Sequence, residues 1–373
     1  MTTPIRIAVV GAGRLGTFHA RLAAQNDAFD LVAVADPFAE PREKLAAEVD
    51  TQAIADPSEL LGKIDAAIVA TPTVTHHAIS KPLLEAGVHT LIEKPITATT
   101  SEAEDLVSTA DAHNAVLQVG HVERFNPAMN VVNQQGNNPL RDPRYIQASR
   151  TSGYTFRSTD IGAVLDLMIH DIDLVLSIAD SQVTNVSAIG VSVLGDHEDI
   201  ATAQLTFASG CVAQVTASRV SYEPQRSMQV FTTRGFTSLD FATGTATTIS
   251  PREDVLQRNF SVADLTAEQT DELRSGLFEK LLVKQTSEAP AVNAIDEEQQ
   301  DFANAILMGA TPRVSGAAGR DAVVIANRVL EQIDQHQWDG DASGRVGMFP
   351  PTALPAMRAD QIGPVSTPLR KAG

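Results

Sequence analysis

Residues 5–16 read IRIAVVGAGRLG, an apolar run followed at once by the pattern Gly-x-Gly-x-x-Gly. The apolar run predicts a buried β-strand, and the glycines predict a tight turn that opens a helix. In such a turn Gly11 permits the bend, Gly13 lets a pyrophosphate approach the backbone, and Gly16 lets helix and strand pack closely. The free N–H groups and positive dipole end of the helix favour phosphate. The stretch therefore predicts a dinucleotide-binding site.

An acidic residue supports this interpretation. Asp36 directly follows the strand-like run 31–35, and dinucleotide-binding turns carry an acid about 20 residues further on. Its carboxylate would bind the ribose hydroxyls and repel a 2′-phosphate, and neither Pro37 nor Phe38 supplies a cation for that phosphate. We therefore predict NAD as the cofactor rather than NADP. The alternative is a glycine-rich structural turn followed by a surface aspartate.

Short apolar runs alternate with amphipathic segments through residues 1–122. This alternation is typical of a doubly wound parallel sheet with helices on both faces, a Rossmann domain. Strands buried on both faces are expected to read as continuous apolar runs. The predicted strands are residues 5–10, 31–35, 66–70, 88–92 and 116–119, and the predicted helices include residues 15–25 and 75–86.

The pattern changes after Phe125. Residues 183–249 contain successive strand-like runs separated by Gly and Ser turns, which is typical of an antiparallel sheet. We therefore predict a second α/β domain over residues 123–338 and an irregular tail over residues 339–373. The other predicted elements are helices at 126–135, 163–179, 295–308 and 319–335, and strands at 145–150, 201–207, 211–218 and 228–233.

Composition excludes several classes of protein. The chain has 373 residues and a net charge of -18, so it lacks the clustered cations with which a broad surface binds nucleic acid. No window approaches the roughly 20 apolar residues that cross a bilayer, and the N-terminus lacks a secretory signal. The single cysteine, Cys211, predicts a small buried hydrophobe in a reducing compartment rather than a nucleophile. We predict a cytoplasmic protein with no nucleic-acid or membrane partner.

Glu93-Lys94-Pro95 is the first group of residues that could carry chemistry. It follows the predicted strand 88–92, and in a doubly wound sheet ligands bind beyond the carboxyl ends of the strands. Lys94 is therefore expected near the nicotinamide, where it could hydrogen-bond a substrate hydroxyl and stabilise the developing alkoxide. The alternative is a surface lysine paired with Glu93.

The second group lies on the apolar helix 163–179. At 3.6 residues per turn, Asp166, His170 and Asp173 share one stripe, while Asp171 points elsewhere. Histidine suits general base work near neutral pH, and Asp166, one turn earlier, could orient its ring. A core histidine with an aspartate partner is one alternative. A metal site is another, although no third strong ligand has suggestive spacing.

Other polar residues that follow predicted strands would also face the cofactor or the cleft. His76 could instead belong to a helix start, and His121, which follows the last strand, to a helix cap or hinge. The predicted cofactor-binding residues are Gly11, Gly13, Arg14, Leu15, Gly16, Asp36, Thr71, Pro72, His76, Glu93, Lys94 and Gln118.

Together these motifs resemble the Gfo/Idh/MocA family of oxidoreductases. The resemblance extends to about residue 336 and is carried by the turn 11–16, Thr71-Pro72 with His76, Glu93-Lys94-Pro95, and Asp166 with His170. It implies a second domain with a large, open, mostly antiparallel sheet that often serves as an oligomer interface, and hence a homodimer or homotetramer. It implies that Lys94, Asp166 and His170 are catalytic, with His170 as the acid/base, and we predict no metal. A cis Lys94–Pro95 bond is also implied.

Residues 120–127, GHVERFNP, followed by residues 169–174, IHDIDL, look like the branch of this family that contains UDP-N-acetylglucosamine 3-dehydrogenases. This resemblance implies oxidation of a sugar 3-hydroxyl to a ketone, which a partner aminotransferase could then aminate. The inositol and glucose branches tend to carry an aromatic residue at the position of His121. The predicted substrate-binding residues are His121, Arg124, Asn126, Arg150 and Arg157. The alternatives are an inositol or free-sugar dehydrogenase and a non-catalytic NAD-sensing regulator.

Overall fold

Two β-sheets organise the chain, one parallel and one mostly antiparallel. The computed structural model describes residues 3–134, 138–156, 161–290, 292–338 and 345–349. The predicted α/β fold, with these two kinds of sheet, is confirmed. Arg157 and most of the predicted tail over 339–373 lie outside the described residues.

The first sheet is parallel. Its strands are β1 (Ile5–Val10), β2 (Phe29–Ala35), β3 (Gln52–Ile54), β4 (Ala66–Val69), β5 (His89–Glu93) and β6 (Leu117–Gly120), in the order β3-β2-β1-β4-β5-β6. The central strands β1 and β4 are apolar and largely buried, as strands covered on both faces must be. The sequence does not predict β3, because this three-residue edge strand contains no buried residue.

Four helices connect these strands: α1 (Arg14–Ala23), α2 (Ala39–Glu48), α3 (Thr73–Glu85) and α4 (Thr100–Ala112). The strand order changes direction between β1 and β4. In a doubly wound sheet, ligands bind in the crevice outside the carboxyl ends of the strands at this point. The glycine turn after β1 and the Glu-Lys-Pro motif around the end of β5 both lie at that edge.

The second sheet has eight strands. They are β7 (Pro143–Thr151), β8 (Val183–Val191), β9 (Ile200–Phe207), β10 (Val212–Ser218), β11 (Gln225–Thr232), β12 (Gly235–Asp240), β13 (Thr245–Pro251) and β14 (Leu282–Glu288). Their order is β14-β13-β12-β11-β7-β10-β9-β8. Among the described pairs, β7 and β10 run parallel and the others antiparallel. In β7, Ile146, Ala148 and Arg150 form the buried row.

The helices of the second half are α5 (Pro127–Asn133), α6 (Ile169–Ala179), α7 (Glu253–Leu256), α8 (Ala267–Ser275), α9 (Ala294–Met308) and α10 (Gly316–Gln335). The predicted helix 163–179 begins as a π-helix over Val164–Met168 and continues as α6. Helix α10 packs on β8 and α6 but also on α4 and β6, and α9 packs on α1. Because these late helices join the two sheets, the division of the chain at residue 122 stays a prediction.

Residues 345–349 are the described part of the predicted irregular tail. They pair with the rest of the protein, since Phe349 forms a parallel bridge with Val191 at the end of β8. Elsewhere, Cys211 is buried and free, and burial raises the pKa of its thiol. Within the described ranges, every helix is too short or too polar to cross a membrane.

Candidate active site

The turn between β1 and α1 is closed toward the protein and open toward a ligand. Gly11 has a φ of +106°, and a Cβ there would lie 2.5 Å from the carbonyl oxygen of Ala70. A Cβ at Gly16 would overlap the carbonyl oxygen of Gly11. A Cβ at Gly13, by contrast, would meet nothing within 4 Å. Gly13 is therefore where a pyrophosphate can reach the backbone.

Helix α1 begins without a side-chain cap. Its N-cap is Gly13, which leaves the N–H groups of the first turn free for a phosphate. Arg14 lies 5.9 Å from the ring centroid of Phe18, and the Leu15 side chain is 40% exposed beside it. The residues of this turn fit the pyrophosphate of NAD.

Asp36 directly follows β2 and is hydrogen-bonded to the same turn. Its carboxylate accepts hydrogen bonds from the N–H groups of Ala12 at 2.7 Å and Phe38 at 2.8 Å. The sequence pattern does not predict the role of two neighbours. The Phe38 ring is 72% exposed and would offer an apolar surface to an adenine. The Arg42 guanidinium donates to the carbonyl oxygen of Asp36 at 2.7 Å.

His76 joins two loops at the edge of the first sheet. Its Nε2 lies 2.9 Å from the carbonyl oxygen of Thr71, and its Nδ1 lies 3.0 Å from that of Pro95. Burial lowers the pKa of His76, so the neutral ring donates to one of these oxygens at a time. His76 therefore positions these loops, while Pro72 is the N-cap of α3.

Lys94 reaches from the first sheet to the second domain. The Lys94–Pro95 peptide bond is cis. The Lys94 ammonium donates to the backbone carbonyl oxygen of Asp166 at 2.8 Å and lies 3.5 Å from the Asp166 carboxylate. The alternative of a surface lysine paired with Glu93 is wrong, because the ammonium is directed to Asp166 and its side chain is only 15% exposed.

Buried polar groups hold Glu93 next to Lys94. His19 Nε2 lies 3.0 Å from the Glu93 carboxylate, and the Gln299 amide donates to His19 Nδ1 at 3.1 Å. Because Nδ1 accepts, Nε2 carries the proton and donates to Glu93. Burial raises the pKa of Glu93, but the His19 hydrogen bond and the Lys94 charge outweigh it, so the pKa is lowered. His19 and Gln299 are 280 positions apart, so no local pattern predicts this pair.

His170 stands next to the π-helix with one ring edge free. Its Nδ1 is buried and has no hydrogen-bond partner among the described residues, so Nε2 is the nitrogen available to a ligand. The His121 ring lies perpendicular to it, with the centroids 6.3 Å apart. His121 is fully buried. Burial lowers the pKa of His170 well below 6.5, and the Lys94 charge adds to this shift. His170 is therefore neutral at neutral pH and can accept a proton.

The predicted orientation of the His170 ring by Asp166 is wrong, because no hydrogen bond joins them among the described residues. A π-helix makes i→i+5 hydrogen bonds, so the 3.6-residue spacing does not hold across Val164–Met168. Asp166 turns to Lys94 and makes no hydrogen bond to Nδ1 of the imidazole. Asp173 pairs with Arg124 at 2.6 and 2.9 Å. Within the described ranges, no three His, Cys, Asp or Glu side chains are grouped to hold a metal ion.

Arg150 is buried among carboxylates. It donates to both oxygens of Asp171 at 2.9 Å and to Glu123 at 2.6 Å. Burial lowers the pKa of Arg150, but the two carboxylates outweigh it, so the pKa is raised. The Arg150 guanidinium is therefore not free to bind substrate as predicted. Its hydrogen bonds join β7 to α6 and to the segment after β6.

Two other predicted ligand-binding residues are also engaged by protein groups. Asn126 accepts from the N–H group of Ala128 at 3.0 Å and donates to Glu123 at 2.9 Å. The Gln118 amide donates to the carbonyl oxygen of Glu298 at 2.9 Å. Their direct contact with ligands stays a prediction, as does that of Arg124.

Two family models and a sequence relative identify the family of the chain. The model of the Gfo/Idh/MocA oxidoreductase family, NAD-binding Rossmann fold, matches residues 5–121, and the model of its C-terminal domain matches residues 133–238. The UDP-N-acetylglucosamine 3-dehydrogenase of Acidithiobacillus ferrooxidans is 40% identical over 241 residues, which are 65% of this chain and 75% of the relative. The chain belongs to the Gfo/Idh/MocA family.

Other Gfo/Idh/MocA proteins are similar in sequence and in structure. The solved UDP-N-acetylglucosamine 3-dehydrogenase GnnA of Acidithiobacillus ferrooxidans has a TM-score of 0.77 and 34% identity, covering 89% of this chain and 98% of that chain. The scyllo-inositol 2-dehydrogenase (NAD(+)) of Bacillus subtilis is 31% identical over 237 residues, 59% of this chain and 69% of the relative. This Gfo/Idh/MocA chain is an NAD-binding oxidoreductase that acts on CH–OH groups, and the predicted NAD cofactor is confirmed.

Proposed function

We propose that this Gfo/Idh/MocA chain oxidises the 3-hydroxyl of UDP-N-acetylglucosamine to a ketone with NAD. The proposal is carried by Lys94, which follows β5 at the carboxyl edge of the first sheet, donates to the carbonyl oxygen of Asp166 and is close enough to His170 for its charge to lower the pKa of that residue. A relative named UDP-N-acetylglucosamine 3-dehydrogenase supports the choice of sugar. A protein that only senses NAD would need no base and no ammonium group at this edge, so we favour an enzyme.

His170 acts as the base in the proposed mechanism. Its neutral Nε2 accepts the hydroxyl proton while the carbon–hydrogen bond breaks. When bound, NAD supplies the hydride acceptor, so the alcohol loses two electrons and two hydrogens and becomes a ketone. His121 packs against the imidazole edge to face. Burial keeps His170 uncharged before the reaction and therefore ready to accept a proton.

Lys94 acts as the electrostatic partner. One donor of its ammonium is held by the Asp166 carbonyl oxygen, and an ammonium has three donors. A remaining donor can hydrogen-bond the substrate oxygen and stabilise the negative charge that develops there. Asp166 thus fixes the cation, and its role in the proposal is to position Lys94.

The pH dependence of oxidation tests the state of His170. The pKa of this base is lowered below 6.5, and the base is active when neutral. We expect kcat/KM to stay level as the pH falls to 6.5 and to decrease only below it. Lys94→Ala removes a charge that lowers this pKa. The acidic limb of the pH profile of this variant is therefore expected at higher pH than that of the unmodified enzyme, although the variant is less active. An acidic limb above 6.5 in the unmodified enzyme, or no displacement in the variant, would count against the base.

The substrate is tested by NADH formation. The purified protein is mixed with NAD and UDP-N-acetylglucosamine, with glutamate and an aminotransferase present to remove the ketone, and absorbance is followed. N-acetylglucosamine, glucose and the inositols are run in parallel. Oxidation of UDP-N-acetylglucosamine alone is the expected result. Oxidation of an inositol instead would show that the chain is an inositol dehydrogenase and contradict the proposed substrate. No reduction of bound NAD by any sugar would favour the regulator.

We also propose a cytoplasmic homodimer or homotetramer that works before an aminotransferase. One face of the second sheet presents Gln147, Gln204 and Gln214 to solvent, and such a polar face could pair with a second copy. Mass measurement by light scattering tests the assembly, with a monomer as the contrary result.

A further inference from the structure

Arg226 lies on β11 in the row of residues that faces the helices. It is the register partner of Arg150 on β7, and directly opposed residues of antiparallel strands lie on the same face of the sheet. The next two residues of this row, Met228 and Val230, are fully buried. Arg226 itself is exposed, because it stands at the end of the strand, where the helices no longer cover the row.

This placement puts Arg226 next to Arg150 on the helix-facing side of the sheet, close enough for its charge to act on His170. Its neighbour Arg150 is bonded to Asp171 at 2.9 Å, and Asp171 directly follows His170. The backbone oxygen of Arg226 accepts a hydrogen bond from Phe241 at 2.9 Å, which fixes the strand end. The positive charge of Arg226 also contributes to the lowered pKa of His170, after burial and the charges of Lys94 and Arg150.

Three other cations of the described residues around the cleft are neutralised by carboxylates. Lys94 lies 3.5 Å from Asp166, Arg124 is bonded to Asp173, and Arg150 is bonded to Asp171 and Glu123. Arg226 has no ion-pair or side-chain hydrogen-bond partner in the described part of the chain. In a chain of net charge -18, a guanidinium left unpaired among so many carboxylates is available to an anionic ligand.

We propose that Arg226 binds a phosphoryl oxygen of the nucleotide-sugar diphosphate. This inference rests on the proposed function for the identity of the sugar. The planar guanidinium matches phosphate oxygens in a bidentate manner. With the sugar held at His170, the diphosphate would extend from the ring toward solvent, and Arg226 is an unpaired cation on that side among the described residues. Arg226 thereby makes the site selective for nucleotide sugars over uncharged sugars such as inositols.

The test compares two exposed arginines of the same sheet. Arg144 is exposed at the opposite end of β7 from Arg150, about 20 Å away at roughly 3.3 Å per residue. It lines a cavity of about 590 Å³ that does not include Arg226 but is bordered by Arg124, together with Arg141 and Arg313. Arg226→Gln and Arg144→Gln therefore remove the same charge from two different places.

Binding of UDP to the NADH complex is measured by calorimetry, because this readout requires no turnover. Arg226→Gln is expected to weaken UDP about 10- to 100-fold, as for loss of a charge-assisted contact. Arg226→Lys is expected to restore part of the affinity, and Arg144→Gln to leave it unchanged. With UDP-N-acetylglucosamine, Arg226→Gln is expected to raise KM more than it lowers kcat.

Any of three results of the UDP titrations would overturn the assignment: no UDP binding to the unmodified protein, equal UDP affinity in Arg226→Gln, or loss of affinity in Arg144→Gln instead. The last would place the anion in the cavity that Arg144 lines. If UDP binds through Arg226 but UDP-N-acetylglucosamine is not oxidised, the proposed substrate fails while the phosphate contact stands. If the sugar nucleotide is oxidised with an unchanged KM in Arg226→Gln, the contact fails and the proposed function stands.

Discussion

His170→Ala is expected to lower kcat for sugar oxidation by about 10²- to 10⁴-fold, the usual contribution of a positioned general base. The change removes the nitrogen that accepts the hydroxyl proton. It leaves the glycine turn after β1 intact, so affinity for NADH is expected to stay the same. The neighbouring His121 cannot take over without moving, because its ring is buried and its centroid lies 6.3 Å from that of His170.

Single-turnover NADH formation measures the chemical step, and NADH fluorescence titration measures cofactor affinity. His113→Ala is the matched control, since His113 is an exposed histidine at the end of α4. It is expected to behave like the unmodified enzyme in both assays. A His170→Ala enzyme with ordinary turnover would remove His170 from the mechanism. Loss of NADH binding in this variant would indicate a structural defect rather than a lost base.

Arg150→Met is expected to decrease the free energy of unfolding by about 3–5 kcal/mol, because it leaves buried carboxylates without their cation. Asp171 and Glu123 are 1% and 7% exposed, so water cannot replace the lost donors. This is a large share of the roughly 5–15 kcal/mol that stabilises a typical protein.

Urea unfolding followed by circular dichroism measures the loss. Arg144→Met removes an exposed arginine from the other end of β7 and is expected to change stability by no more than about 0.5 kcal/mol. Adding Asp171→Asn to Arg150→Met is expected to recover part of the stability, because one buried charge is removed together with its partner. Similar small losses for Arg150→Met and Arg144→Met would show that the buried network contributes little.

The cofactor site could be predicted because its residues are close in sequence. The strand, the glycines and the first turn of α1 lie within residues 5–16, and Asp36 follows at a spacing set by one helix and one strand. Each of these features depends on local backbone geometry and on the burial of a continuous apolar run. Lys94 follows from the same logic, since topology alone places it at the edge where the turn lies.

The partners of the chemical residues could not be predicted in this way. A regular helix predicts that Asp166 orients His170, but Asp166 lies in a π-helix and contacts Lys94, 72 residues earlier. A π-helix has no reliable signal in a single sequence. Arg226 reads as an ordinary surface residue in a strand. Only its register on the folded sheet places it opposite the buried Arg150.

Lys94 comes from the edge of the first sheet, whereas His170 comes from the helix that covers the second. On the proposed function, the cofactor turn and most of the residues that would hold the sugar therefore come from separate stretches of the chain. Changes within residues 143–288 can reshape the sugar site while residues 11–16 keep their form. Divergence of one ancestral enzyme toward different sugars needs no new redox machinery. Such divergence accounts for relatives of this chain that are named for a nucleotide sugar and for an inositol.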